Sequence, residues 1–202
     1  MEFAPLSLSF FKSSLTLVLS AAVLAGCSKQ EPAQPQEQPS ASSVPAAPET
    51  LAGVVDRSHA GELMPAINVV DPVGKTLNTA ALSGQPVLLN LWATWCAPCI
   101  KEMPMLDALA GEYQGRLRVI TVSQDLQGKK LVPPFFAKEK FKHLQPWLDP
   151  DTKLSTKFGD GVLPTTVLYD SSGSEVARVV GGYDWSSPEA RALVDEAVDP
   201  GD

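Results

Sequence analysis

Cysteine is the residue type whose spacing most constrains the chemistry of this chain. There are 3 in 202 residues, and Cys96 and Cys99 are separated only by Ala97 and Pro98. Ahead of them runs Val87-Leu88-Leu89-Asn90-Leu91-Trp92, apolar but for Asn90, the pattern of a strand buried on both faces. Behind them Met103, Leu106, Leu109, Ala110 and Tyr113 recur three or four apart, as on one helix face. The pair therefore sits where a buried strand hands over to a helix N-terminus. Backbone N–H groups without intrahelical partners and the helix dipole stabilise a thiolate there. A Cys-x-x-Cys at such a place titrates within about 3.5–7.5, below a free thiol. Cys96, before the helix, is expected to be the exposed attacking sulfur. Cys99, just inside it, is expected to resolve the mixed disulfide, and Pro98 fits a first turn that needs no N–H. The chemistry this spacing points to is dithiol–disulfide exchange.

Other uses of two cysteines fit less well. A zinc site normally requires four ligands, and Cys27, His59 and His143 repeat no ligand spacing, so no metal is assigned. A purely structural bridge across so short a loop would constrain the unfolded chain little. Glu102 stands three residues after Cys99 and shares its helix face with Met103 and Leu106 beside it. That apolar setting is expected to raise its carboxyl pKa and to let it take the proton from Cys99. The plain alternative is an exposed glutamate beside Lys101.

The Trp95-Cys96-Ala97-Pro98-Cys99 motif, with Leu163-Pro164-Thr165-Thr166 far downstream, resembles the thioredoxin superfamily. The run from Trp92 to Cys99 and the following Lys101-Glu102-Met103-Pro104 resemble its membrane-anchored TlpA/ResA/DsbE-like branch, over about Met64 to Val198. The resemblance implies an α/β, thioredoxin-like fold: a central mixed β-sheet flanked by helices, with an N-terminal β-hairpin and a central helical insertion. It implies a cis bond before Pro164 beside Cys96, with Trp95, Leu163 and Pro164 meeting the substrate. It also supports the role of Glu102, since Asn90 stands where plain thioredoxin carries a buried aspartate. The implied activity is thiol–disulfide exchange in the cell envelope, reducing disulfides in partners such as apocytochrome c or copper-site assembly proteins. A membrane electron donor of the DsbD/CcdA type would supply the electrons, with no separate cofactor. The DsbE branch usually carries a Gly-Val-x-Gly-Ala-Pro-Glu-type segment where this chain has Gly161-Val162-Leu163-Pro164-Thr165-Thr166, which weighs against that specialisation. An oxidase or isomerase using the same residues, and a non-catalytic dithiol module holding copper, stay open.

The elements that must position these groups frame the rest of the chain. Residues 1–26 read as a lipoprotein-type signal peptide: Lys12, then an apolar Leu15–Ala25 too short for a span of about 20 residues. The end of that segment, Leu24-Ala25-Gly26-Cys27, resembles the bacterial lipoprotein signal, in which Cys27 becomes the acylated N-terminus. An ordinary secretory signal or an uncleaved anchor is the alternative, and the odd cysteine count favours lipidation. Residues 27–50 form a Pro-rich flexible linker with almost nothing to bury, and residues 51–202 the thioredoxin-like domain. Within the domain, Asp71-Pro72-Val73-Gly74 marks a hairpin between 66–70 and 75–77, and 165–170 with 175–180 a second one. A helix is expected from about Val132, opened by Pro133-Pro134, in the insertion. The lysines there (Lys129, Lys130, Lys138, Lys140, Lys142) read as a solvated face, with a docking patch for an acidic partner as the alternative. His59 is expected to be exposed. A last helix opens at Ser187-Pro188. The formal net charge of −7 and pI near 4.8 lack the basic footprint of a nucleic-acid binder. Nothing in the sequence demands more than a monomer. The expected location is extracytoplasmic, held to a membrane by the lipid.

Overall fold

The strand before the cysteines is the axis of the fold. The structure is a computed structural model and describes residues 51–158, 161–199 and 201; the signal-type segment, the linker and Cys27 lie outside the described residues. In chain order the elements are β1 (Ala52–Asp56), β2 (Asn68–Val70), β3 (Thr76–Asn78), a 3-10 turn (Thr79–Leu82), β4 (Val87–Trp92), α1 (Ala97–Glu112), β5 (Arg118–Ser123), α2 (Gly128–Glu139), β6 (Trp147–Leu148), α3 (Lys153–Lys157), β7 (Thr165–Tyr169), β8 (Glu175–Tyr183) and α4 (Pro188–Val198). They build one mixed eight-stranded sheet in the order β1-β8-β7-β4-β5-β6-β2-β3.

Every residue of β4 is buried, as its nearly continuous apolar run leads one to expect, Asn90 included. It pairs parallel with β5 and antiparallel with β7. Strand alternation divides its side chains between two cores. Leu88 and Trp92 pack with Met103, Leu106 and Leu109 of α1 and with Leu193 and Val194 of α4. Val87, Leu89 and Leu91 pack on the other face with Val167, Tyr169 and Leu154 of α3. Asn90 is thereby turned to the α1 face.

Two features differ from the sequence reading. The helix α2 begins at Gly128, and Pro133 and Pro134 lie inside it rather than at its start. A proline there leaves the carbonyl four residues back without its helical partner; here these are the carbonyls of Lys129 and Lys130, two exposed residues in the first turn. Packing holds the turn in place: Val132 is fully buried, and Phe135 and Phe136 lie with ring centroids 5.0 and 6.0 Å from Trp92. The second difference is β1, an added antiparallel strand on β8. Its side chains are mostly exposed and carry no alternation, so the sequence held no strand signal; the free edge of the nine-residue β8 supplies the pairing. His59, expected in solvent, is only partly exposed and bonds Glu62 through Nδ1 at 2.9 Å.

Candidate active site

Cys96 is the N-cap of α1, and its Sγ accepts the Cys99 N–H at 3.3 Å. Pro98 occupies the first turn, as the absent N–H allows. The two cysteines are joined in a disulfide with Cα atoms 5.2 Å apart. The structure corrects one expectation: Cys96 is only 5% exposed, and Cys99 is fully buried. Cys96 is still the more accessible of the two, at the end of the loop that follows β4. Trp95, by contrast, is 69% exposed.

That loop is held from the neighbouring strand. Thr94 donates its N–H and its hydroxyl to the Asp125 carboxylate at 2.9 and 2.7 Å, and the Ser123 hydroxyl donates to the same carboxylate at 2.8 Å. Asp125 is itself buried, so three donors satisfy a carboxylate that burial would otherwise penalise. The parallel pairing of β4 and β5 brings the two loops together at the carboxyl ends of the strands. Sequence reasoning missed Asp125, because a lone aspartate after a strand gives no signal of the loop it will meet.

Glu102 lies one helical turn beyond Cys99 and is fully buried, which excludes the exposed alternative. Asn90 Nδ2 donates to its Oε1 at 2.7 Å, while the Tyr183 N–H and the Trp185 indole N–H donate to Oε2 at 3.1 and 3.3 Å. Burial pushes the carboxyl up to about 7, and the three donors hold back part of that rise. The apolar side of this setting was legible from Met103 and Leu106. Tyr183 and Trp185 were not, as both arrive from the far end of the chain. A trace of them exists in Gly181-Gly182: a Cβ on Gly182 would lie 3.1 Å from Pro98 Cβ and 2.8 Å from Leu51 Cδ2. Only glycine lets β8 approach the start of α1 so closely.

Leu163 and Pro164 are joined by a cis bond. Pro164 is buried, and its carbonyl accepts the Gly181 N–H at 2.9 Å. Leu163 is half-buried against the core cluster that contains Cys96 and Cys99. The fold therefore gathers Cys96, Cys99 and Glu102 on α1, packs Leu163 against the same cluster, and leaves Trp95 on the surface beside them. Among the described residues no group of three or more His, Cys, Asp and Glu side chains converges as a metal site.

The AhpC/TSA family profile matches residues 60–185. The chain belongs to the AhpC/TSA family. It is similar to the thiol-disulfide oxidoreductase ResA of Bacillus cereus, 31% identical over 126 residues that span 62% of this chain and 72% of that protein. ResA of Halalkalibacterium halodurans is 32% identical over 130 residues, 63% of this chain and 73% of its own length. A thioredoxin-family thiol:disulfide interchange protein from Chlorobium tepidum superposes with a TM-score of 0.57 at 21% identity, covering 68% of this chain and 97% of that one. At that identity the likeness is one of fold. Within the AhpC/TSA family this chain is a TlpA/ResA/DsbE-like thiol–disulfide oxidoreductase with a thioredoxin-like fold, its redox centre the Cys96–Cys99 pair.

Proposed function

We propose that this oxidoreductase works as a reductant of partner-protein disulfides outside the cytoplasm, with Glu102 as its internal proton acceptor. The observation that carries the reading is the buried glutamate one turn from the buried cysteine. In the reduced enzyme, the Cys96 thiolate attacks one sulfur of the partner disulfide; that bond breaks, and the leaving partner thiolate takes up a proton. The Glu102 carboxylate takes the Cys99 proton, directly or through one water. The Cys99 thiolate then attacks Cys96 Sγ and releases the second partner sulfur as a thiol. Two electrons have passed to the partner, and the Cys96–Cys99 disulfide remains. A dithiol donor returns two electrons and two protons to close the cycle. An extended partner segment lies against Trp95 and the backbone at Leu163, as an added strand would, with the buried Pro164 fixing the bend beneath it.

The donor we infer is a membrane protein of the DsbD/CcdA type, and the partners are envelope proteins such as apocytochrome c or copper-site assembly proteins. The similarity to ResA supports this choice. Residues 1–26 act as the signal, Cys27 carries the lipid, residues 27–50 are the tether, and residues 51–202 act as a monomeric catalytic domain. Among the described residues no helix is long and apolar enough to cross a membrane. The test is a Cys99→Ser variant incubated with a disulfide-bearing protein such as insulin. A mixed disulfide through Cys96 that accumulates and is released by dithiothreitol supports the mechanism; turnover equal to that of the native enzyme refutes the resolving role of Cys99.

A further inference from the structure

Five exposed lysines on and just after α2 form a basic face on a chain whose formal net charge is −7. At the start of that face lies a cavity of about 260 Å³, lined by Val70, Leu126, Leu148 and Pro150 with Lys129 and Lys130 at its side. Leu126 is 77% exposed, an apolar side chain left in solvent beside an apolar hollow. The topology fixes where this hollow sits relative to the dithiol. The strands β4, β5 and β6 are parallel neighbours. The dithiol follows the C-terminal end of β4, the segment 126–130 that of β5, and Pro150 that of β6. All three therefore lie at the carboxyl ends of parallel strands, where α/β folds bind ligands. With strands about 4.8 Å apart, hollow and dithiol are within the span of a short peptide. The Thr94–Asp125 hydrogen bonds tie the two loops directly.

We propose that this hollow is a second docking point for the disulfide-bearing partner, taking a polypeptide segment in which a large apolar side chain is flanked by carboxylates. The inference rests on the reductase reading and names the partner chemistry it prefers. The apolar side chain fills the hollow against Leu126 and Leu148, and the carboxylates meet Lys129 and Lys130, which form no ion pair among the described residues. Charge of this kind accelerates encounter and selects among partners more than it tightens the complex. An acidic enzyme with one basic face beside its redox centre would thus turn an acidic partner into a single orientation.

The experiment uses peptides closed by one disulfide, each with a leucine beside it and flanked by aspartates, by lysines or by neutral residues. The small neutral disulfide bis(2-hydroxyethyl) disulfide serves as a substrate too small to reach the hollow and without charge to feel its lysines. The native enzyme is expected to reduce the aspartate peptide at least about fivefold faster than the lysine peptide in low salt, the ratio shrinking toward 1 in high salt. The Lys129→Glu/Lys130→Glu variant is expected to invert that order while keeping its reduction potential and its rate on the small disulfide. Leu126→Ser is expected to slow the leucine peptide about threefold and to leave the same peptide with serine in place of leucine unchanged. Equal rates for the charged peptides, or a charge reversal that moves only binding to phosphatidylglycerol vesicles, overturns the proposal; the second result would assign the face to a membrane. If no disulfide is reduced at all, the reductase reading fails. Fluorescence-anisotropy binding of the three peptides with both cysteines replaced by serine then decides the docking proposal by itself: preference for the aspartate peptide supports it, and equal affinities overturn it.

Discussion

Glu102 is ordinary in composition and unusual in place: a carboxyl with no exposure, bonded by three N–H donors one helical turn from a buried cysteine. Its ionisation is opposed by burial, so the folded protein holds its proton up to about pH 7, against 4.5 for the free group. Between those values the folded state binds more protons than the unfolded one, and stability falls as pH rises. The contribution is fully present below about pH 4.5 and is lost as pH passes 7, a difference of about 3 kcal/mol at 1.36 kcal/mol per unit. Glu102→Gln removes this dependence. Urea unfolding is expected to show the variant gaining on the native protein from pH 5 to 8, with a flat difference above. Asn90 Oδ1, buried and without a partner in the native protein, can accept the new amide after a flip of the Asn90 side chain. Activity moves the opposite way. The resolving step of the native enzyme is expected to rise with pH through about 7 and then level, while the variant loses that limb and slows about 10²-fold or more. Stopped-flow kinetics of mixed-disulfide decay read both.

At the scale of elements, the strand–helix unit was the most legible part of the sequence. The shift from a continuous apolar run to spacing of three and four placed β4, α1 and both cysteines. Contacts that need distant segments to meet were not legible. Asp125 holds the loop before Cys96 from the end of a different strand, and two of the three donors to Glu102 come from residues 183 and 185. The helix α2 was misjudged because its two prolines outweighed, on paper, the aromatic packing on Trp92 that holds it. That packing gives a measurable expectation: Trp92→Leu, at a fully buried site, is expected to cost about 3 kcal/mol in chemical denaturation and to loosen α2. Asp125→Ala leaves the Thr94 N–H without its acceptor and is expected to cost about 1–3 kcal/mol. It should also raise the rate at which iodoacetamide labels reduced Cys96, as the loop leading into it is freed.

At the scale of the whole molecule, the proposed lipid on Cys27 and the tether of residues 27–50 carry a direct test. Cys27→Ser is expected to release the full-length protein from the membrane fraction and to abolish labelling by palmitate; an unchanged distribution would return the N-terminal segment to an ordinary anchor. The direction of electron flow is a property of the whole domain, because every group around the dithiol weights thiolate against disulfide. The most direct measurement is therefore the reduction potential of the Cys96–Cys99 pair, by thiol trapping against defined dithiol buffers. The account expects a value near that of reducing thioredoxins, about −270 mV. A value near about −120 mV, that of a strong oxidase, would contradict it and make the same dithiol a donor of disulfides.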